Sequence, residues 1–211
     1  MGCDIHLYTE RKYNRDNQKP IWICCDHFKL NPSYILYPEE GYEHEWNIEE
    51  IYNGRNYSLF AALADVRNYD NITPLDKPRG LPKDVSRKVY KESMNWGSDG
   101  HSHSWFTAKE LFEYQKTHPT TRHEGMLEPD ILKAFDEEGK IPTEWCQWTN
   151  IKGAERRSWE VPGSPIDPLV KAVKKRMAEE FWIWDFLDEK KKEEAYQKHA
   201  DEFRIVFWFD N

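Results

Sequence analysis

The C-terminal run RIVFWF, residues 204–209, limits the fold more than any other part of the sequence. Its five apolar residues follow one another without a polar face, which is typical of a strand that is covered on both sides of a sheet. Near the other end of the chain, residues 4–10 alternate apolar and polar side chains, as a half-buried strand does. We therefore expect the two terminal strands to pair within one sheet.

Helical patterns occupy much of the chain between these strands. Apolar spacing and capping residues predict helices at 57–66, from Asp84 or Ser86 to about 94, from 107 onward, and at 129–139, 168–184 and 189–199. The sequence thus predicts an α+β fold, in which a mixed or antiparallel sheet contains both the N- and C-terminal strands and helices pack on it. We expect residues 1–211 to form a single domain, with 30–50 as a surface excursion and 115–200 as a helical and irregular elaboration.

Charge and cysteine content limit the partners of the chain. With 30 Lys and Arg against 38 Asp and Glu, the formal net charge is −8, which disfavours binding of long nucleic acid. No apolar stretch reaches the length of a membrane span. We expect reduced thiols in a cytoplasm, since no secretory signal precedes the first strand and Cys24 adjoins Cys25, two neighbours that rarely bridge each other.

The segment WGSDGHSHSWFTAKEL, residues 96–111, has the densest chemistry in the chain. If the segment is extended, its period of two turns Asp99, His101 and His103 to one side. A helix is expected directly afterwards, because Thr107 and Glu110 have the spacing of a capping box. Since the free amides at a helix N-terminus attract negative charge, this loop is a candidate site for an anion or a metal.

The metal hypothesis uses the motif Asp99-x-His101-x-His103. It resembles the Asp-x-His-x-His opening of the polymerase-and-histidinol-phosphatase superfamily and of amidohydrolases, which implies that the two imidazoles bind a catalytic metal. Asp4 and His6, on one face of the first strand, are further candidate ligands, as are His118, His123 and Glu124. The helical pattern before the motif and the short remaining chain do not match the barrel of those families.

The anion hypothesis uses arginines that lie near turns and helix ends. Arg55, Arg67 and Arg79 precede the central segment, and arginine is suited to a bidentate grip on phosphate. The other candidate ligand-binding residues are Asn56, Asn68, Trp96, His101, Ser102, His103 and Trp105. The alternative is that each arginine pairs with a nearby carboxylate, for example Arg67 with Asp65, and that the tryptophans belong to the core.

Long motifs at both ends and in the centre of the chain are shared with a family. They are MGCDIHLYTE, GRNYSLFAALADVRN, PLDKPRGLPKDVS, WGSDGHSHSWFT-KEL and RIVFWFDN. Together they resemble proteins encoded by bacteriophages and their prophage relatives, over the two ends and about residues 53–111. The resemblance implies expression in an infected bacterium, without a lipid anchor or a virion role, and small phage proteins often act against host defence.

Three functions follow as hypotheses. The leading one is a cytoplasmic phage protein that binds a small, anionic, nucleotide-like ligand and sequesters a host defence signal, which needs no cofactor and no catalytic residue. The second is a phosphoester hydrolase with a divalent metal at Asp99, His101 and His103, joined by Asp4 and His6. The third is an antagonist that binds a host protein through aromatic surface. The sequence leaves open whether the chain forms a homo-oligomer.

Overall fold

The structure is a computed structural model that describes residues 2–41 and 45–210. Its strands are β1 (Ile5–Arg15), β2 (Gln18–Cys24), β3 (His27–Leu30), β4 (Trp46–Glu49), β5 (His101–Thr107), β6 (Thr120–Leu127), β7 (Glu155–Pro162) and β8 (Phe203–Phe209). Its helices are α1 (Pro32–Leu36), α2 (Tyr57–Ala64), α3 (Arg87–Asn95), α4 (Ala108–Thr117), α5 (Pro129–Glu138), α6 (Asp167–Glu180) and α7 (Glu189–His199). The arrangement is α+β, as the sequence predicts.

The C-terminal strand lies inside an antiparallel sheet whose order is β2-β1-β8-β5. The expected pairing of the two chain ends is confirmed, since Ile5 lies opposite Phe209 and His6 lies opposite Trp208. All seven residues of β8 are buried. This burial on both faces explains why the strand has an apolar run without alternation.

The two faces of the sheet carry different chemistry. On one face Phe207 stacks on Phe106 of the neighbouring strand, and both rings are fully buried. On the other face Trp208 stacks on Tyr8, with ring centroids 5.0 Å apart, and packs in a cluster with Val206 and Val89. Side chains alternate along a strand, so neighbouring residues of β8 supply both cores at once.

A buried ion network joins three distant parts of the chain. The Arg204 guanidinium donates to Glu10 Oε2 at 2.7 Å and to Asp84 Oδ1 at 2.8 Å, and Glu10 is fully buried. The Ser86 backbone N–H donates to the second oxygen of Glu10. Arg204 also lies 4.0 Å from the ring centroid of Trp22. The network therefore fixes the start of α3 against the sheet.

The contacts divide the chain into two compact units. One comprises the described residues of Met1–Arg55, Pro78–Leu111 and Leu169–Asn211, and it holds the four-stranded sheet and the β3–β4 hairpin. The other comprises Asn56–Lys77 and Phe112–Pro168, and it holds the β6–β7 hairpin with α2 and α5. The segment 115–200, expected as a helical and irregular elaboration, has residues in both units.

Most capping predictions are confirmed. Ser86 caps α3, accepting from the Val89 N–H. Thr107 and Glu110 form the reciprocal bonds of a capping box at the start of α4. The helix α5 begins at Pro129 and ends at Gly139, which is left-handed, and α7 has the predicted bounds.

One prediction about element length is wrong. The helix α6 ends at Glu180 and not near 184, because Trp182 adopts a left-handed φ of +55°, and Trp184 is exposed rather than on a buried stripe. Within the expected surface excursion at 30–50, β3 pairs with β4 and α1 lies between them. Within the described ranges, no helix combines the length and apolarity that crossing a membrane requires.

The ion network predicts a large effect for Arg204→Met. The substitution leaves Glu10 buried without its cation, and breaking a buried pair in this way costs about 3–5 kcal/mol. Urea unfolding should show a loss of that size. Lys190→Ala, which removes one partner of an exposed pair, is the matched control and should change stability by less than about 0.5 kcal/mol. Equal effects of the two variants would contradict the assigned role of Arg204.

Candidate functional site

A β-bulge separates the two histidines of the central motif. The register between β5 and β8 shifts by one residue between His101 and Ser104, and Ser102 has a left-handed φ of +53°. As a result His101 stacks on Phe209, whereas His103 stacks on Trp208 with centroids 5.5 Å apart. Phe209 and Trp208 are adjacent on β8 and face opposite ways.

The prediction that Asp99, His101 and His103 share one side is therefore wrong. Asp99 lies in the turn after α3 and is exposed, before the strand begins. Ser102 instead bonds its neighbour, with 3.0 Å between its Oγ and His101 Nδ1. Across residues 2–41 and 45–210, no three or more His, Cys, Asp or Glu side chains are arranged to hold a metal ion.

The candidate arginines all have partners within the protein. Arg55 forms a bidentate pair with Asp4, at 2.9 and 2.6 Å. Arg79 pairs with Glu110 at 2.8 Å, and its guanidinium lies over the rings of Trp105 and Phe106. The alternative of a carboxylate partner thus holds for both.

The remaining arginine and the two asparagines lie in the second unit. Arg67 donates to the Tyr69 hydroxyl at 3.3 Å, and its backbone is left-handed with φ of +52°. Asn56 caps α2 by accepting from the Leu59 N–H. Asn68, rather than Arg67, bonds Asp65, at 2.6 Å. These residues stabilise the two ends of α2 and the loop after it.

Further candidate metal ligands also lie in the second unit, in a network of their own. His123 Nδ1 lies 3.3 Å from Asp70 Oδ2, and its ring packs against Trp145 and Trp159. Glu124 accepts from Asn71 at 2.8 Å. His118 stacks on Tyr114 with centroids 4.1 Å apart. Their bonds fix the β6–β7 hairpin to its neighbouring loops.

Several of the predicted residues do come together in the first unit, around His6. The His6 ring lies 3.9 Å from Trp96 and 6.0 Å from Trp208, so one histidine stacks with both tryptophans. His6 Nε2 lies 3.3 Å from Asp210 Oδ2, and Asp210 Oδ1 accepts from the Asp4 N–H. The other ring nitrogen, Nδ1, lies 4.0 Å from Glu50 Oε1.

Glu50 lies between this cluster and a cavity with a volume of about 600 Å³. The β3–β4 hairpin forms one wall and α3 another. The lining residues are Tyr8, Lys29, Glu45, Trp46, Asn47, Ile48, Glu50, Lys88 and Glu92. Glu50 also lines a neighbouring cavity of about 230 Å³ beside α6. Of the candidate residues named from sequence, none lines the larger cavity.

The electrostatics of this cavity differ from those of the surface pairs. Burial raises the pKa of Glu50 to about 7, with a further contribution from the charge of Asp26, while Lys29 opposes the shift. Burial likewise raises the pKa of Tyr8. By contrast, the hydrogen bond from Arg55 lowers the pKa of the exposed Asp4 carboxyl. A carboxyl that lines a cavity and has a shifted pKa is a physical indication of a functional site.

A smaller cavity of about 320 Å³ lies beside His103. Its other lining residues are Gly80, Leu81, Ser93, Met94 and Gly97. Burial lowers the pKa of His103, and the charge of His101 lowers it further, so the ring is neutral at pH 7. This cavity is mainly apolar and offers little to grip an anion.

No protein-family model matches the chain, and neither the curated proteins nor the solved structures include a significant match. The evidence for the function of the chain therefore comes from its own geometry.

The raised pKa of Glu50 predicts a pH-dependent gain in stability for Glu50→Gln. The folded state holds the proton more tightly than the unfolded chain, so folding stability is lost as the pH rises from about 4.5 through about 7. The variant removes that loss. It should be more stable than the native protein by about 3 kcal/mol at pH 8 and equally stable at pH 4. Urea unfolding at the two pH values measures the difference.

Glu45→Gln is the matched control, because Glu45 lies at an exposed position on the wall of the same cavity. Its stability should follow that of the native protein at both pH values. A Glu50→Gln variant whose stability relative to the native protein is no greater at pH 8 than at pH 4 would contradict the assigned environment of Glu50.

Proposed function

We propose that the chain binds a small ligand combining a flat aromatic ring with a phosphate group, in the 600 Å³ cavity under the β3–β4 hairpin. The observation that carries the proposal is the composition of this cavity, whose lining includes the half-exposed ring of Trp46 together with Lys29 and Lys88. An aromatic platform next to a cation is suited to a nucleotide, since the base stacks and the phosphate meets the positive charge.

The size of the cavity supports a ligand of this class. Small-molecule sites commonly have volumes of 300–1,000 Å³, and the cavity falls within that interval. Trp46 has 53% of its surface exposed although it adjoins the cavity, so its ring is available to stack. Lys29 is exposed on the same hairpin, whereas Lys88 pairs with Glu92 at 2.6 Å.

The proposed ligand belongs to the class expected from the sequence, but the side chains that bind it are different. Lysines replace Arg55 and Arg79, which are engaged with Asp4 and Glu110. The glutamates of the cavity, with the net charge of −8, repel a continuous phosphate backbone and admit a compact ligand. A small nucleotide therefore fits the site better than a nucleic acid.

The resemblance to phage proteins suggests a role for such binding. A protein that holds a nucleotide-derived signal lowers the free concentration of that signal in proportion to the amount bound. In this proposal the chain acts in the cytoplasm of an infected bacterium and sequesters a host defence signal.

Trp46→Ala tests the cavity as the binding site. Removing a stacking ring costs about 1–3 kcal/mol per base, so the affinity for nucleoside monophosphates should fall by about 5–100-fold. Equilibrium dialysis against GMP, AMP, CMP and UMP measures it. Trp184→Ala is the matched control, because Trp184 is also about half exposed but lies outside the cavity.

Lys29→Met provides a second measurement, because it removes a charge without touching a ring. It should weaken binding and reduce the dependence of affinity on salt. The proposal fails if none of the four nucleotides binds, or if Trp46→Ala and Trp184→Ala bind them equally well.

A further inference from the structure

Glu50, whose side chain is 21% exposed, differs from the buried carboxylates Glu10 and Asp26 in having no hydrogen-bond donor among the described residues. Asp26 accepts from the Thr9 N–H at 2.9 Å, from the Thr9 hydroxyl at 2.6 Å and from the Cys24 thiol at 3.4 Å. Glu10 accepts from Arg204 and from the Ser86 N–H. Within residues 2–41 and 45–210, no donor lies within hydrogen-bond distance of the Glu50 carboxyl.

The Glu50 carboxyl, which has no donor among the described residues, lines two cavities. Its side chain is 21% exposed and lines both the 600 Å³ and the 230 Å³ spaces. The nearest basic group is His6, at 4.0 Å, beyond hydrogen-bond distance. The other nitrogen of that imidazole is engaged with Asp210. A bound ligand is therefore well placed to supply the donors.

We infer that Glu50 recognises a guanine-type ring by accepting two adjacent N–H groups from it. The inference rests on the proposed function, because it assumes that an aromatic ring occupies this cavity. An ionised carboxylate has two oxygens that only accept. The pairing edge of guanine presents two neighbouring donors. Adenine and cytosine present a donor next to an acceptor, and uracil presents a donor between two acceptors.

Selectivity follows from the groups left unpaired. With adenine or cytosine, one carboxylate oxygen would face a ring nitrogen that is also an acceptor. A site that bonds a donor rejects the analogue lacking it, because its own buried polar group then has no partner. The ring of Trp46 adds stacking, which every base satisfies, so Glu50 carries the discrimination.

Binding by this carboxylate is coupled to a proton. Burial raises the pKa of Glu50 to about 7. Two N–H donors favour the ionised form, so guanine binding releases a proton near neutral pH. The charged and titratable groups around Glu50 are His6 and Tyr8 on β1, Asp26 just before β3, His27 and Lys29 on β3, Glu45 and Glu49 at the two ends of β4, Lys88 and Glu92 on α3, and Lys175, Arg176 and Glu179 on α6.

Titration calorimetry of the native protein with GMP, IMP, AMP and CMP tests the inference. IMP lacks the exocyclic amino group of GMP and so offers one donor instead of two. GMP should bind about 10-fold more tightly than IMP, and AMP and CMP should bind more weakly still. Below pH 7 the preference for GMP over AMP should fall by about tenfold per pH unit, and AMP corrects for titration of the phosphate.

Glu50→Gln is the test variant, and Glu194→Gln, at an exposed position of α7 outside the cavity, is the matched control. A glutamine offers one acceptor and one donor, which match the edge of adenine, so the affinity for GMP should fall by about 10–100-fold and that for AMP should rise. Proton release on binding GMP, measured in two buffers of different ionisation enthalpy at pH 6.5, should be larger with the native protein than with Glu50→Gln, in which only the phosphate contributes. The control should behave like the native protein in both measurements.

The outcomes separate this inference from the proposed function. If AMP or CMP binds as tightly as GMP, or if IMP equals GMP, the assignment of Glu50 is overturned while the nucleotide site stands. If no nucleotide binds, the proposed function fails and the inference fails with it. Since the comparison of GMP with IMP uses the native protein, it does not depend on the folding of any variant.

Discussion

The burial of β8 between β1 and β5 is the constraint on which the rest of the first unit depends. A strand covered on both faces brings its neighbours' side chains into two cores, and its only charged residue, Arg204, is neutralised inside the sheet by Glu10. Because a buried cation requires a partner, the pairing also sets the register of β1. The same register places His6 opposite Trp208, and thereby places the imidazole where Glu50 approaches it.

The sequence predicts the parts of this fold that depend on local pattern. The apolar run of β8, the capping box at Thr107 and the Pro129–Gly139 helix signals are each readable within a few residues. The bulge at Ser102 is not, because a single left-handed residue follows from the fit of β5 against β8 rather than from its own neighbours. That one residue reverses the orientation of His103 relative to His101.

The candidate site was beyond sequence reasoning for a related reason. Glu50 belongs to a segment without clear period, and it approaches His6, whose own partner Asp210 comes from the opposite end of the chain. The sequence predicts that the terminal strands pair, and therefore that residues near 6 and 208 lie close together. The pairing of β3 with β4 places Glu50 near these residues. Its local sequence signal, a short alternation at 46–49, is weak.

Two kinds of carboxylate in the first unit differ in what they leave open to a ligand. Asp4, Glu10 and Asp26 receive hydrogen-bond donors from the protein and have little capacity left for a ligand. Glu50 is partly buried, has no such donor among the described residues, and has a pKa that burial raises to about 7, so the unit bears the free energy of that shift. A binding partner that supplies two donors recovers that free energy, which no partner can recover at the other three positions. Selectivity therefore depends less on the number of charges in the cavity than on which of them the fold leaves unsatisfied.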